Sequence, residues 1–488
     1  MNNHRGFLVA ATARSLSSGQ ILYDDGLLML QLVFAMTSKF FLVVLQVLPV
    51  TLLSVIAPKA AAETVMFDNV NVVSMAIPDV LSDRDVLIVD GKIVRIDESI
   101  DAPDGATVVD GENRYLMPGL AEMHAHIPPT TQRDNVERVL ALYLANGITT
   151  VRGMLGEPGH LKLREAQNRG EVVGPRIYTS SPSLNGNSVK SAEDGRAKVN
   201  DYFDAGYDLL KIHPGLSQEE YSAISNEARS LGMDFAGHVP AAVGAWRVIG
   251  AGQTSVDHLD GFVEALASPE VLQQVPASFF NYLVAPHARQ SQIPILLAAL
   301  KAKKVWVVPT ESLMHQFSGT RPLEKLKNDP NLQYVPPATR RSWQQTLSQA
   351  FADPNYSRSA AQSFLRLRLQ LIKAIHEEGH GVLLGSDAPQ VFQVPGFSIH
   401  DELVLYERAG LSPFEALATG TINVAQYFGV ENSRGQVAEG FDADLVLVAA
   451  NPLEWVGNAA KVQGVMVAGR WHNQQWRSGT LEEIAAGF

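Results

Sequence analysis

The pattern of hydrophobic and polar positions divides the chain into stretches of different character. From residue 63 to about 115, short alternating runs predict β-strands, with a hairpin turning on Asp90 and Gly91. After Gly119, apolar strands alternate with amphipathic helices, which is typical of parallel βα units. Eight strands are predicted, at residues 117–126, 148–152, 175–180, 207–213, 234–238, 254–258, 304–310 and 381–387. Eight βα units favour an α/β fold built on a (β/α)₈ TIM barrel.

The last part of the chain returns to short strands. Residues 400–429 predict two helices joined at residues 410–413, and residues 435–477 again alternate between apolar and polar positions. We expect these strands to pair with those at the other end of the mature chain. The predicted organisation is a barrel at residues 118–432 and a small β-domain made from residues 63–117 and 433–480.

Two connections are longer than a simple helix requires. They follow the sixth and seventh strands, at residues 260–303 and 311–380, and the second ends in a helix predicted at residues 360–378. Insertions at the carboxyl ends of barrel strands commonly build the substrate pocket or a lid. Specificity is therefore expected to lie in these two connections, whose chemistry the sequence does not specify.

The N-terminal region has the pattern of a secretory signal peptide. Residues 40–56 are strongly apolar, follow Lys39 and precede a run of small residues that predicts cleavage after Ala62. A membrane anchor is the alternative, but the run is short for a bilayer span of about 20 residues. Met36 resembles a normal translation start. Residues 1–62 are thus predicted to be a signal region, and the mature protein to be exported, periplasmic or extracellular, without a stable membrane anchor.

Composition narrows the possible functions. The 488 residues carry a formal net charge of −12 and no cysteine. The charge argues against a nucleic-acid partner and suits an enzyme with a small-molecule substrate, and it is compatible with a homo-oligomer. Without cysteine, any metal must be held by histidine, aspartate, glutamate or a modified side chain.

Polar side chains suited to metal binding stand at the ends of several predicted strands. His124 and His126 lie one residue apart and so share one face of the first strand. An H-x-H pair alone is weak support for a metal site. The remaining candidates follow four later strands, and the carboxyl ends of barrel strands converge on one mouth. The candidate ligands are His124, His126, Lys211, His238, His258 and Asp387.

Lys211 needs a separate explanation because lysine is costly to bury in an apolar strand. It could extend its amine to solvent, or it could pair with a carboxylate such as Asp387. Its amine could also have reacted with carbon dioxide, since the resulting carbamate is an anionic ligand able to bridge two metal ions. The sequence leaves these interpretations open.

The ordered motifs resemble the amidohydrolase superfamily of metal-dependent hydrolases, specifically its imidazolonepropionase-like and prolidase-like branch. The resemblance spans residues 63–480 and is carried by P-G-L-x-x-x-H-x-H at 118–126, D-x-x-K at 208–211, G-H-V-P at 237–240, V-D-H at 256–258, G-S-D-A at 385–388, E-A-L-x-x-x-T-x-N-x-A at 415–425 and A-D-L-V at 443–446. It implies a (β/α)₈ barrel with a β-sandwich formed from both ends of the mature chain.

The resemblance also implies a centre of two divalent metal ions, usually zinc. The more buried ion would be held by His124, His126 and Asp387 and the other by His238 and His258, with a hydroxide and the carbamate of Lys211 bridging them. Asp387 would then act as general base and general acid during hydrolysis of a C–N bond.

Three further residues are weaker candidates for substrate binding. His213 lies two residues beyond Lys211 on the same strand face, and it could contact substrate or hydrogen-bond a loop carbonyl. Arg152 would suit a substrate carboxylate, although it is followed by Gly153 where several relatives carry aspartate. Tyr178 is the third candidate. The other histidines, such as His160, His287, His315, His376 and His380, are predicted to be structural or at the surface.

The resulting prediction is a metal-dependent hydrolase that cleaves amide bonds, with dipeptides or N-acyl amino acids suggested by the resemblance. One alternative is an enzyme with a single metal ion that opens a cyclic amide or deaminates a heterocycle, with an unmodified Lys211. An alternative of another class is a non-catalytic barrel used for binding. Such proteins are expected to have lost metal ligands, whereas all six candidates are present.

Overall fold

The computed structural model describes residues 63–488, so the predicted signal sequence lies outside the described residues. Within the described residues, no helix combines the length and the apolar character that crossing a bilayer requires. The fold is α/β, as predicted: one mixed sheet, two parallel sheets and sixteen α-helices lie in the described part of the chain.

The two ends of the described chain meet in one eight-stranded sheet. Its strands are β1 (Val65–Val73), β2 (Val80–Val89), β3 (Lys92–Asp97), β4 (Thr107–Asp110) and β5 (Tyr115–Pro118), joined by three strands from the C-terminal region described below. The β2–β3 hairpin turns on Asp90 and Gly91 as predicted. Both residues have positive φ, at 52° and 72°, which a two-residue type I′ turn requires.

The central strands are parallel and almost entirely buried. They are β6 (Leu120–Ala125), β7 (Ile148–Gly153), β8 (Arg176–Thr179), β9 (Leu209–Ile212), β10 (Asp234–Gly237), β11 (Ser255–Asp257), β12 (Trp306–Val308) and β13 (Gly381–Val382). The first three form one sheet and the last five another. Hydrogen bonds connect the sheets on both sides: Met123 N donates to Leu384 O at 2.9 Å, and Ser181 N donates to Leu209 O at 2.7 Å.

The eighth of these strands is shorter than predicted, since residues 383–387 lie outside β13. Leu384 N donates to Thr419 O, in the segment that follows the parallel strands. Asp387 has φ of 65°, a left-handed conformation that ends extended structure. The loop thereby turns Asp387 back towards the end of β6.

Helices connect the parallel strands and cover them. Those in the first half are α1 (Arg133–Ala145), α2 (Pro158–Asn168), α3 (Ala192–Asp204), α4 (Gln218–Leu231), α5 (Ala245–Ala251), α6 (Phe262–Leu266), α7 (Pro269–Gln274) and α8 (Ile293–Lys303). The long second insertion contributes α9 (Glu311–Phe317), α10 (Leu323–Lys327), α11 (Pro337–Phe351) and α12 (Arg358–Glu378). The helix predicted at residues 360–378 is therefore confirmed as α12.

The segment after the parallel strands departs from the prediction in two places. Three helices replace the predicted two: α13 (Ser398–Ala409), α14 (Pro413–Thr419) and α15 (Ile422–Tyr427). After β14 (Leu445–Val448), β15 (Val462–Val467) and β16 (Arg470–His472), the chain forms the unpredicted helix α16 (Gln474–Ala486). The Asn473 side chain caps this helix by accepting from Trp476 N, and Leu481 packs against Leu142 and Ala145 of α1.

Strand β14, from the C-terminal region, pairs with β5, from the N-terminal part of the described chain, as predicted. The strands are antiparallel, with Leu445 opposite Pro118 and Val448 opposite Tyr115. Gly119 follows at once and leads into β6. A Cβ at this position would lie 2.1 Å from Thr149 Oγ1, so only glycine allows the close approach to β7.

Candidate metal centre

His124 and His126 meet Asp387 at the carboxyl end of β6. The Nε2 atom of His126 lies 2.7 Å from Asp387 Oδ1, and that of His124 lies 3.6 Å from the same oxygen. One ligand atom from each of the three residues lies within 4.8 Å of the other two. The structure therefore brings together the three side chains expected to hold the more buried metal ion.

His238 and His258, which follow β10 and β11, lie beside this group. The ring centroid of His258 is 4.6 Å from that of His124 and 4.6 Å from that of His238. The Nδ1 atom of His238 is hydrogen-bonded to Asp260 at 3.1 Å, and that of His258 to Thr310 at 2.8 Å. These partners orient both rings and leave Nε2 as the nitrogen available to a metal.

Lys211 lies in β9 with its side chain completely buried. Its Nζ atom is 3.4 Å from His124 Nε2 and 3.7 Å from Asp257 Oδ2. The interpretation that it extends to solvent is therefore wrong, and its closest carboxylate is Asp257 rather than Asp387. Burial lowers the pKa of Lys211, which favours the neutral amine.

Asp257 is a site residue that the sequence reasoning did not single out. It is fully buried in β11, with Oδ2 3.0 Å from His124 Nδ1. Its other oxygen accepts from Ser255 Oγ at 3.0 Å and from Arg152 at 3.3 Å. Asp257 thus lies behind His124 and Lys211 and can fix the orientation of the histidine ring.

Arg152 has a structural position instead of the predicted contact with a substrate carboxylate. Its side chain is fully buried, and its guanidinium donates to Met123 O, Ser255 Oγ, Tyr427 Oη and Asp257. Because all three guanidinium nitrogens donate hydrogen bonds to buried groups of the protein, Arg152 does not face a substrate. The role predicted for Arg152 needs correction: it holds Asp257.

The structure separates the other two weak candidates. The ring of His213 lies 5.1 Å from that of His238, and its Nδ1 atom pairs with the Ser183 hydroxyl, so His213 joins the histidine cluster. Burial lowers its pKa to about 2, which keeps the imidazole neutral.

Tyr178 instead stacks on Phe428, with ring centroids 3.7 Å apart, and its hydroxyl accepts from Arg434. It lies beside residues at the amino ends of β6 and β7. It is not brought to the cluster.

Glu122 links the first of the parallel strands to the loop that follows the last one. Its buried carboxylate accepts from His124 N at 3.0 Å, from Ser386 N at 2.8 Å and from the Ser386 hydroxyl. Burial raises the pKa of Glu122 to about 8. A glutamate inside an otherwise apolar strand was the sequence signal that could have identified this residue.

A second buried network supports His258 from the other side. Arg368 of α12 donates to His258 O at 2.6 Å, to Pro309 O at 2.7 Å and to the Glu311 carboxylate at 2.7 Å. His258 has φ of 65°, a conformation that bulky residues seldom adopt. The bond from Arg368 stabilises this backbone and hence the direction of the histidine ring.

The buried carboxyl group of Glu402 should make the stability of the fold depend on pH. It is buried, accepts from Glu311 N and Ser312 N at 2.7 Å each, and burial raises its pKa from 4.5 to about 7. Because the folded-state pKa exceeds the unfolded one, Glu402 contributes stability below about pH 4.5 that is lost as pH rises through 7. Glu402→Gln should reduce the difference in unfolding free energy between pH 5 and pH 7.5 by up to about 3 kcal/mol.

Urea unfolding of metal-free protein at the two pH values measures this difference. Glu112→Gln, at an exposed position, is the control and should behave as the parent chain. An unchanged pH difference in Glu402→Gln would contradict the prediction.

Asp257→Asn tests the position of Asp257 behind His124. The amide keeps an oxygen for Arg152 but removes the charge next to His124 and Lys211. We expect metal affinity to fall about 10–100-fold, as for other residues that orient a ligand. Competition titration with a metal-binding dye measures it. Asp444→Asn, which alters the Arg176–Asp444 pair at the other end of the strands, should leave the affinity unchanged.

The model of the amidohydrolase family matches residues 115–472, which is most of the chain. The chain belongs to the amidohydrolase family. This confirms the resemblance inferred from the motifs and identifies the protein as a hydrolase of that family.

Individual relatives agree with this assignment. Ochratoxinase from Aspergillus niger is 24% identical over 366 residues, which cover 70% of this chain and 71% of the relative. Among solved structures, a bottromycin amidohydrolase has a TM-score of 0.69 at 22% identity, covering 88% of this chain and 91% of that one. A Xaa-Pro dipeptidase with bound methionine has a TM-score of 0.61 at 20% identity, covering 84% and 100%. At these identities, the structural likenesses show a shared fold.

Proposed function

We propose that this amidohydrolase cleaves amide bonds of dipeptides or N-acyl amino acids with the help of divalent metal ions. The observation that carries the proposal is the meeting of His124, His126 and Asp387 within 4.8 Å, with His238 and His258 beside them. Relatives named ochratoxinase and Xaa-Pro dipeptidase support amide cleavage.

The donor set suits the proposed metal ions. Imidazole and carboxylate are ligands that zinc accepts, and burial lowers the pKa of His124, so its imidazole is neutral as a ligand must be. Neither His124 Nδ1 nor Asp257 Oδ2 has a hydrogen-bond partner of good geometry, although they are 3.0 Å apart. A small reorientation of His124 on metal binding would form that bond. We propose that these side chains, together with a carbamate on Lys211, would hold two zinc ions.

The residues of the chain would move the proton during hydrolysis. A bound divalent ion polarises the substrate carbonyl and lowers the pKa of water. Asp387 Oδ1 faces His126 at 2.7 Å, whereas Oδ2 lies 3.8 Å from His258 Nδ1. We assign Oδ2 as the base that takes a proton from the attacking water and returns it to the departing amine nitrogen. The C–N bond breaks, and the products are a carboxylate and an amine.

The finer architecture is also part of the proposal. The hydrogen bonds that connect the two parallel sheets on both sides support one closed (β/α)₈ barrel with the site at its carboxyl-terminal mouth. The domain boundaries would then be those expected from the sequence, and the eight-stranded sheet would fold over as a β-sandwich. We propose export on the basis of residues 36–62, which N-terminal sequencing of the mature protein would test.

Hydrolysis of a substrate panel by zinc-loaded protein tests the proposed function. The panel contains dipeptides, N-acyl amino acids, a cyclic amide and lactones; release of amine is measured for the amides and release of acid for the lactones. We expect turnover of linear amides, its loss after chelation and its recovery with zinc. Protein that binds two zinc ions per chain but releases no amine would instead support a barrel used for binding. Ring opening with one metal ion would support a cyclic amidohydrolase.

A further inference from the structure

A large cavity of about 1200 Å³ opens beside the proposed metal centre. His238 and Asp260 form part of its wall, so the cavity is continuous with the site. Most of the remaining wall comes from residues 260–295, within the first insertion. Pockets for drug-sized ligands are typically about 300–1,000 Å³, so the volume exceeds what a dipeptide of small residues would fill.

Exposed apolar side chains are concentrated in this cavity. Trp246, Leu272, Phe279 and Ile295 are 42%, 41%, 43% and 53% exposed, and all four line it. Large hydrophobic groups left in contact with water favour an apolar ligand that covers them. Their grouping at one opening next to the site indicates that the ligand is part of the substrate.

Phe280 stands where the cavity meets the histidine cluster. Its ring centroid is 5.6 Å from that of His258 and 6.4 Å from that of His238. Phe280 and Asn281 have φ of 46° and 48°, and the Asn281 amide donates to the Glu264 carboxylate, which anchors this turn. An apolar group bound in the cavity would therefore contact an aromatic ring immediately beside the scissile bond.

The charges around the cavity disfavour an anionic occupant. Asp260 and Glu264 lie in its wall. Arg289 also lines the cavity, but its guanidinium already donates to Leu266 O and Ala267 O. A carboxylate placed in the cavity would meet two acidic side chains against one cation.

We propose that the cavity binds a bulky, uncharged apolar group attached next to the scissile amide. The preferred substrates are then amides of amino acids with a long alkyl or aromatic group, either on the acyl side or on the amino-acid side chain. This inference rests on the proposed function, because it names the substrate class of the same site.

Two matched substrate series test the proposal on zinc-loaded protein. The first compares N-acetylalanine, N-octanoylalanine and N-(7-carboxyheptanoyl)alanine, and the second compares N-acetylalanine with N-acetyl-2-aminodecanoic acid. Full burial of one methylene changes binding about fourfold, and partial burial less. We expect the long alkyl chain to raise kcat/KM on the order of 100-fold in at least one series. Where the acyl series shows this gain, the terminal carboxylate should abolish it.

Glutamate substitutions at the cavity wall are a second test of the proposal. Leu272→Glu and Ile295→Glu should each lower the ratio of kcat/KM for the long-chain and short-chain substrates about 10-fold or more, because burial of the chain is replaced by contact with a carboxylate. Val173→Glu and Phe203→Glu are controls at apolar positions that are 46% and 44% exposed and do not line the cavity. Both control variants should keep the ratio of the parent chain.

The outcomes separate the two proposals. Equal kcat/KM for short, long and carboxylated substrates in an active enzyme would overturn the inference about the cavity and leave amide hydrolysis standing. Ratios that do not change in Leu272→Glu and Ile295→Glu would also overturn it, and a changed oligomeric state in those variants would then assign the surface to a second copy of the chain. No release of amine from any substrate would overturn the proposed function itself.

Discussion

Asp387→Asn is expected to lower turnover by about 10²–10⁴-fold while much of the metal stays bound, because general acid–base catalysis typically contributes that much. The asparagine oxygen can still face His126, which lies 2.7 Å from Asp387 Oδ1. The amide nitrogen that would replace Oδ2 cannot take up a proton from water. Amine release at saturating zinc, with metal content measured by mass spectrometry, gives both quantities.

Asp83→Asn is a matched control for this substitution. Asp83 is exposed in β2 and, like Asp387, has a positive φ, at 54° against 65°, which asparagine tolerates equally well. It should retain the activity of the parent chain. Near-normal turnover in Asp387→Asn would remove Asp387 from the role of proton carrier.

Lys211→Met is expected to reduce the metal content from two ions per chain to one and to lower turnover on the order of 100-fold or more. Methionine has a similar length and suits the fully buried position, but it cannot form a carbamate. Loss of a group that stabilises charge in the transition state has effects of this size. Metal analysis and the amine-release assay measure the two changes.

The parent chain provides an independent readout of the carbamate. Intact parent protein prepared with bicarbonate should carry the added mass of one carbon dioxide when it is measured under non-denaturing conditions, and Lys211→Met should lack it. Lys162→Met, at an exposed position of α2, is the control and should keep two metal ions and full activity. Two metal ions in Lys211→Met would contradict the role of Lys211 in a binuclear centre, and no added mass on the parent chain would contradict the carbamate.

The candidate site could be predicted because its residues obey a local rule. Histidines at the ends of parallel strands must point to a common edge, and the structure places His124, His126, His238 and His258 side by side. The proposed roles of these residues depend on that convergence. The same rule placed His213 near the cluster, where its ring lies 5.1 Å from His238.

The rule failed where the direction of one side chain decides its partners. Arg152 and Tyr178 both lie in parallel strands, but the guanidinium of Arg152 is committed to Asp257 and its neighbours, while Tyr178 faces Phe428. Asp257 and Glu122 were missed because an acidic residue in an apolar strand indicates a buried carboxylate but does not show which side chains it supports. The helix α16 was missed because its amphipathic pattern is weak and its docking against α1 stabilises it.

The sequence by itself determined the α/β class, the family and the strand ends from which the candidate ligands project, because periodicity and motif spacing are properties of neighbouring residues. Only the tertiary structure decided that Asp257 is the closest carboxylate to Lys211 and that Arg152 donates a hydrogen bond to Asp257. Only the tertiary structure gathered Trp246, Leu272, Phe279 and Ile295 at the opening beside His238. Such contacts join residues far apart in the chain, so they depend on how the whole molecule packs.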